Sequence, residues 1–243
     1  MLKIRLALLG VLALVVTSGI AASTASAGGP FWHVGGSKFS QGTRQLELQN
    51  KGNLVLKGEL ALVKVEVECE TSLSEGATIE GSGQQKPGQG KGRLKFEKCI
   101  VKTAGKTEPC KALVPIKTNQ TKLILGTSNE GVQRKYVDIF EPQQGTKFAE
   151  ITFVNNITTC PFAGTFPLTG AVAAEMAPTE SEALEGSLIF PETAIKAVQV
   201  FSQVSGQPEE RGTGLFFGAK AANFKVTYKG KLVTNEIWGV FPT

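Results

Sequence analysis

The chain has one histidine, one aspartate, two tryptophans, two tyrosines and two methionines in 243 residues. One histidine excludes a multi-histidine metal site. One aspartate, Asp138, excludes an Asp-rich calcium loop, because the other acids are all glutamate. Four aromatics able to present a polar edge or wide face, Trp32, Tyr136, Tyr228 and Trp238, are too few and too scattered to predict a stacking platform. Lysines alternate with glutamates and form no basic run, so nucleic acid is not an expected partner. No Gly-x-Ser-x-Gly turn places a nucleophile. A serine triad would have to recruit His33 and Asp138. No catalytic residue, metal or cofactor is therefore assigned.

What is present first is an export signal. Met1 to Arg5 is short and basic, Leu6 to Ile20 is almost continuously apolar, and Ala25-Ser26-Ala27 is a small-residue cleavage site before Gly28. The apolar run is too short for a bilayer span and has no charged stop after it. The expected division is a signal peptide over 1–27 and a single disulfide-stapled β domain over 28–243, secreted and without a transmembrane span. Removal of Lys3 and Arg5 leaves 24 basic residues against 21 acidic, a net +3. Phe166-Pro167-Leu168-Thr169-Gly170 resembles a cell-wall sorting signal but lacks the apolar segment and basic tail that must follow, so it reads as strand and turn.

The dominant period is two. Val63 to Glu70 alternates apolar and charged side chains, which is the signature of a half-buried strand with Cys69 on the core face. Arg44 to Gln49 and Leu54 to Lys57 read as a hairpin about Asn50-Lys51-Gly52, setting Leu46 opposite Leu56 and Leu48 opposite Leu54. Further strands are expected at Thr121–Leu125, Tyr136–Phe140, Phe148–Val154, Leu184–Phe190, Ala197–Ser202, Asn223–Tyr228 and Lys231–Phe241. Short strands with regular turns predict an all-β fold, an antiparallel β-sandwich or barrel. The one helix signal is Thr179-Glu180-Ser181-Glu182 after Pro178, which has capping-box spacing. Gly81 to Gly92 holds five glycines and reads as a mobile loop.

Cys69, Cys99, Cys110 and Cys160 form an even set, so two disulfides are expected in an oxidising compartment. Strands Arg93–Val101 and Pro109–Lys117 about a turn at 103–106 set Cys99 opposite Cys110. Cys69–Cys160 follows by elimination. Asn119-Gln120-Thr121 and Asn156-Ile157-Thr158 match the glycosylation triplet, relevant in a eukaryotic host only.

Several segments share an order with known sequences. These are Trp32-His33-Val34-Gly35-Gly36, Gly52-Asn53-Leu54-Val55-Leu56, the strand into Cys69, Phe96-Glu97-Lys98-Cys99 with Cys110, Thr159-Cys160 leading to Gly164–Gly170, and Asn235-Glu236-Ile237. Together they resemble a group of uncharacterised exported β-rich proteins that occur as paralogues in soil actinobacteria. The resemblance implies a bacterial host, a cleaved signal and an all-β fold. It carries no activity and no residue role.

Three functions follow as expectations. The leading one is an exported non-enzymatic β-protein, structural or binding a cell-envelope or environmental ligand such as a glycan. The second is a secreted hydrolase of glycans using Glu66, Glu68 and Glu70, which stand about 7 Å apart on one strand face. The third is a surface adhesin presenting Gly81 to Gly92.

Overall fold

The computed structural model describes residues 29–83, 86–103, 109–129, 134–157, 159–201 and 207–242. The expected signal peptide lies outside the described residues. The strands in chain order are β1 (Phe31–Val34), β2 (Ser37–Lys38), β3 (Thr43–Asn50), β4 (Leu54–Leu60), β5 (Val63–Glu80) and β6 (Gln89–Thr103). Then come β7 (Cys110–Ala112), β8 (Ile116–Lys117), β9 (Thr121–Ser128), β10 (Lys135–Pro142), β11 (Lys147–Asn155) and β12 (Gly164–Ala177). The last are β13 (Glu185–Phe190), β14 (Ala197–Phe201), β15 (Pro208–Gly212), β16 (Gly214–Phe217), β17 (Lys220–Leu232) and β18 (Trp238–Phe241). No helix occurs among the described residues. The expected all-β class is therefore the observed one.

The sheet closes on itself. Strands pair in the order β9-β10-β12-β13-β17-β3-β5-β6, and β6 returns to β9 through Gln89–Ile124 to Gly92–Thr121. A second ring runs β11-β12-β16-β17-β4-β5-β6-β8, and β8 leads back to β11 through a bridge between Thr118 and Ala149. Both rings share β5, β6, β12 and β17, which at 18, 15, 14 and 13 residues are long enough to pass through both. The barrel is thus two tiers deep, with four through-going strands and shorter strands laid end to end between them.

That arrangement corrects the expected hairpin. β3 and β4 do not pair with each other. They lie end to end along β5, with Arg44 opposite Ile79 and Leu54 opposite Cys69. The Asn50 side chain holds the join. It donates to the Gly52 and Glu70 carbonyls and accepts from the Ser72 amide. The true hairpin joins β4 to β5 through Ala61 and Leu62. β12 changes partners near Gly170, from β11 and β16 below to β10 and β13 above. A Cβ there would lie 2.0 Å from the Gly214 oxygen at φ +107°, so the crossing admits only glycine.

One apolar core runs through both tiers, from Leu46, Leu48 and Tyr228 above to Leu54, Val67, Phe148 and Phe153 below. Phe190 joins them, meeting Phe140, Phe224 and Tyr228 with ring centroids 5.3, 5.1 and 6.0 Å away. A small sheet, β18-β1-β2, plugs the upper tier. Its Trp32 and Trp238 rings are 5.8 Å apart, and Trp32 Nε1 donates to the Gln89 carbonyl at 2.8 Å. Outside the wall, β14 covers Ile124, Val137 and Ile139 with Val198 and Val200.

The disulfides are Cys69–Cys99 and Cys110–Cys160, not the expected pairs. β6 takes its register from β5, where Cys69 and Cys99 stand directly opposite. β7 leaves β6 altogether and pairs with β11, so Cys110 faces Asn155 and reaches Cys160 just beyond it. The strand that does return to β6 is β8, with Ile116 opposite Phe96, three residues out of the expected register. Two further expectations change. Thr179 to Ala183 forms bridges to Val240 and Trp238 rather than a helix, because the plug offers those backbone groups partners. The expected strand Lys231–Phe241 is split by a turn at 233–237 so that Trp238 enters the core.

The glycine-rich segment is only partly loop. Gln89 onward is strand, and Gly88 packs on Trp32 and Leu125, where a Cβ would come within 2.6–2.9 Å of their side-chain atoms. Those glycines serve close packing, which composition alone does not distinguish from looseness.

Candidate functional site

Glu66, Glu68 and Glu70 stand on the outer face of the lower tier, as strand geometry requires. Each has a lysine. Lys102 bridges Glu66 at 3.5 Å and bonds Glu68, and Lys98 lies 3.8 Å from Glu70. Lys57 reaches both Glu66, at 3.8 Å, and Glu192, at 3.2 Å. Asn53 donates to Glu68 at 2.6 Å. The Lys102 bond, then that of Asn53, holds the Glu68 carboxyl below its ordinary value. A glycosidase acid needs the opposite shift. This row is cross-strand charge pairing on a solvated face.

His33 has a carboxylate partner, but it is not Asp138. Its Nδ1 lies 3.1 Å from Glu182 Oε1, and the same carboxylate accepts from the Gly36 amide at 2.9 Å. The His33 ring stacks on Phe241 at 3.9 Å. Among the described residues no hydroxyl or thiol is hydrogen-bonded to His33, so the pair locks the plug to the segment after β12 and activates no nucleophile. Glu182 lies 149 positions from His33, and no local pattern links the two. Asp138 points instead into the upper tier, fully buried, opposite Leu125 and Ala174. Neither carboxyl oxygen has a well-formed hydrogen bond. Burial pushes its pKa well up, and the nearby Ile124 amide offsets this only in part.

The feature most suited to a ligand is a cleft of about 690 Å³ at the seam between the tiers. The crossing from β8 to β9 supplies Asn119 and Gln120. The crossing from β10 to β11 supplies Gln143 and Gln144, with the Gln143 amide bonded to the Gln120 carbonyl at 2.7 Å. The floor is Lys91 and Arg93 of β6 and Gly76 in the β5 bulge. The lining holds two cations, four amides and no acid. Lys91 pairs with Glu80 at 3.0 Å. Glu75, directly across from Arg93, is engaged by Lys117 at 3.0 Å. Of the described arginines, Arg44, Arg134 and Arg211 have side-chain partners, and Arg93 has none among the described residues. The side chains of Gln120, Gln143 and Gln144 likewise bond no described residue. Sequence reasoning did not find this cleft. Its only trace is two amide pairs, Asn119-Gln120 and Gln143-Gln144, each at a strand junction.

No group of three or more His, Cys, Asp or Glu side chains could hold a metal among the described residues. No helix there is long and apolar enough to cross a membrane. Comparison with protein-family models, with curated proteins and with solved structures gave no match. Fold and site together define an all-β, doubly disulfide-bonded closed barrel with a polar cleft in its wall.

Proposed function

We propose that this is an exported, non-enzymatic bacterial β-protein that binds a polar ligand of the cell envelope or the surroundings. It would belong with the actinobacterial exported paralogues that its motifs resemble and begin at Gly28 after signal cleavage. The observation that carries the reading is the seam cleft. It is concave, framed by strand junctions, and lined by Arg93, Gln120, Gln143 and Gln144, whose side chains bond no described residue, whereas Asn119 donates to the Lys147 carbonyl and Lys91 pairs with Glu80. Two disulfides suit an oxidising compartment. The catalytic alternative has less support, because the glutamates it needs are neutralised by lysines and His33 faces no nucleophile. The adhesin alternative has less support, since Gly88, Gly90 and Gly92 of its segment pack against the wall.

The test is a glycan array and a pull-down on isolated envelope polysaccharide with the purified protein, run beside a reducing-end assay for glycan cleavage. Binding without cleavage is expected. Cleavage, or no retention on any glycan or envelope fraction, would overturn the reading.

A further inference from the structure

Resting on that reading, we infer that the seam cleft is a subsite for an acidic saccharide, with Arg93 as the carboxylate anchor and the Gln120, Gln143 and Gln144 side chains as hydroxyl partners. The argument is one of chemical complement. A guanidinium offers a flat fork of N–H donors that matches a carboxylate with two parallel bonds. Arg93 is exposed, its cross-strand acid is engaged by Lys117, and its fork bonds no described residue. Every side-chain amide carries both donor and acceptor, which is what pairs of sugar hydroxyls require. The lining itself holds no acid, and the adjoining carboxylates Glu75 and Glu80 are paired with Lys117 and Lys91. The cleft volume lies in the range of roughly 300–1,000 Å³ usual for small-ligand sites.

Other anions fit less well. The lining has no aromatic ring, so the bases of a nucleic acid have nothing to stack on. Phosphate sites draw on clustered backbone amides or several cations, whereas here Lys91 is already committed to Glu80. A uronic acid needs one cation and many hydroxyl partners, which is the ratio present.

The probe is tetragalacturonate, with its carboxyl-reduced tetrasaccharide as the neutral control. Binding is followed by amide chemical-shift changes and by calorimetry. Tetragalacturonate should perturb the amides of Arg93, Gln120 and Gln143, and the reduced sugar should bind at least about tenfold more weakly. Arg93→Ala should cost on the order of tenfold to a hundredfold and flatten the salt dependence. Arg93→Lys, which keeps the charge without the fork, should fall between. Gln143→Ala/Gln144→Ala should weaken both sugars alike. All these sites are at the surface, and an unchanged melting temperature checks folding. Equal affinity for the reduced sugar, an undiminished Arg93→Ala variant, or no perturbation in the cleft would overturn the inference. If another glycan from the array binds elsewhere, the inference falls and the broader binding role stands. Envelope polysaccharide of the producing cell and plant polygalacturonate, assayed side by side, separate the two sources of such an acid.

Discussion

Asp138 is the chain's one aspartate, and it faces the barrel interior with no well-formed hydrogen bond. Burial there favours the neutral carboxylic acid, so the pKa is raised in the folded state. The sign follows by linkage. Below the unfolded value near 4 both states are protonated and the site contributes its full stability, which is lost as pH rises toward the raised native value. Asp138→Asn removes the titration. The variant should be the more stable at pH 8, and the gap should close on acidification to pH about 4. Urea melts of both proteins across that range check this, and a pH-independent gap would contradict it. The position was visible in the sequence as an odd residue in the apolar strand Tyr136–Phe140. Its inward direction was not, because strand alternation gives two faces without saying which one a closed wall turns inward. His33 poses the same problem. The sequence marked it as the one histidine, and only the docking of the plug supplied Glu182.

At the scale of elements, the β4–β5 connection is a two-residue turn with φ of 48° at Ala61 and 67° at Leu62, a conformation usually filled by Asn-Gly. Leu62 is also 87% exposed, so its side chain contributes little packing. Ala61→Asn/Leu62→Gly should therefore stabilise the protein by about 1 kcal/mol, read as a higher denaturant midpoint at unchanged slope. A fall in midpoint would show that the Leu62 side chain makes a contact worth more than the turn conformation costs. The disulfides belong to this scale as well. Each staples neighbouring pieces of one wall, spanning 30 and 50 residues, so the loop-closure model gives about 4 kcal/mol for either. The double variants Cys69→Ala/Cys99→Ala and Cys110→Ala/Cys160→Ala should lose similar stability. Non-reducing peptide mapping should recover those same pairs, and a Cys99–Cys110 peptide would restore the simple hairpin.

At the scale of the molecule, the two tiers share four strands and one apolar core. The shared strands β5, β6, β12 and β17 carry pairings of both rings, so loss of their order in one tier removes partners from the other. Heating should therefore give one calorimetric transition, with matching calorimetric and van't Hoff enthalpies. Two resolved transitions would mean that the tiers fold independently. The same construction places the cleft. Strand junctions must fall where the short strands change tier, and junctions carry the polar residues that a continuous wall would not.

What the sequence by itself determined is the local chemistry: strands from the period-two pattern, the all-β class from their number and spacing, and the involvement of all four cysteines in disulfides. These follow from interactions among near neighbours, which alternation and turn residues encode directly. The tertiary structure alone decided which strands meet. β3 and β4 carried a good hairpin signal, yet both found a better partner in β5, whose 18 residues accommodate them end to end. Other long-range pairings decided the remaining assignments: β5 with β6 put Cys69 opposite Cys99, β7 with β11 brought Cys110 to Cys160, and Lys117 of β8 engaged Glu75 across from Arg93. Pairing between distant strands is settled by which arrangement closes the barrel and buries the core, a global condition that no short stretch of sequence contains.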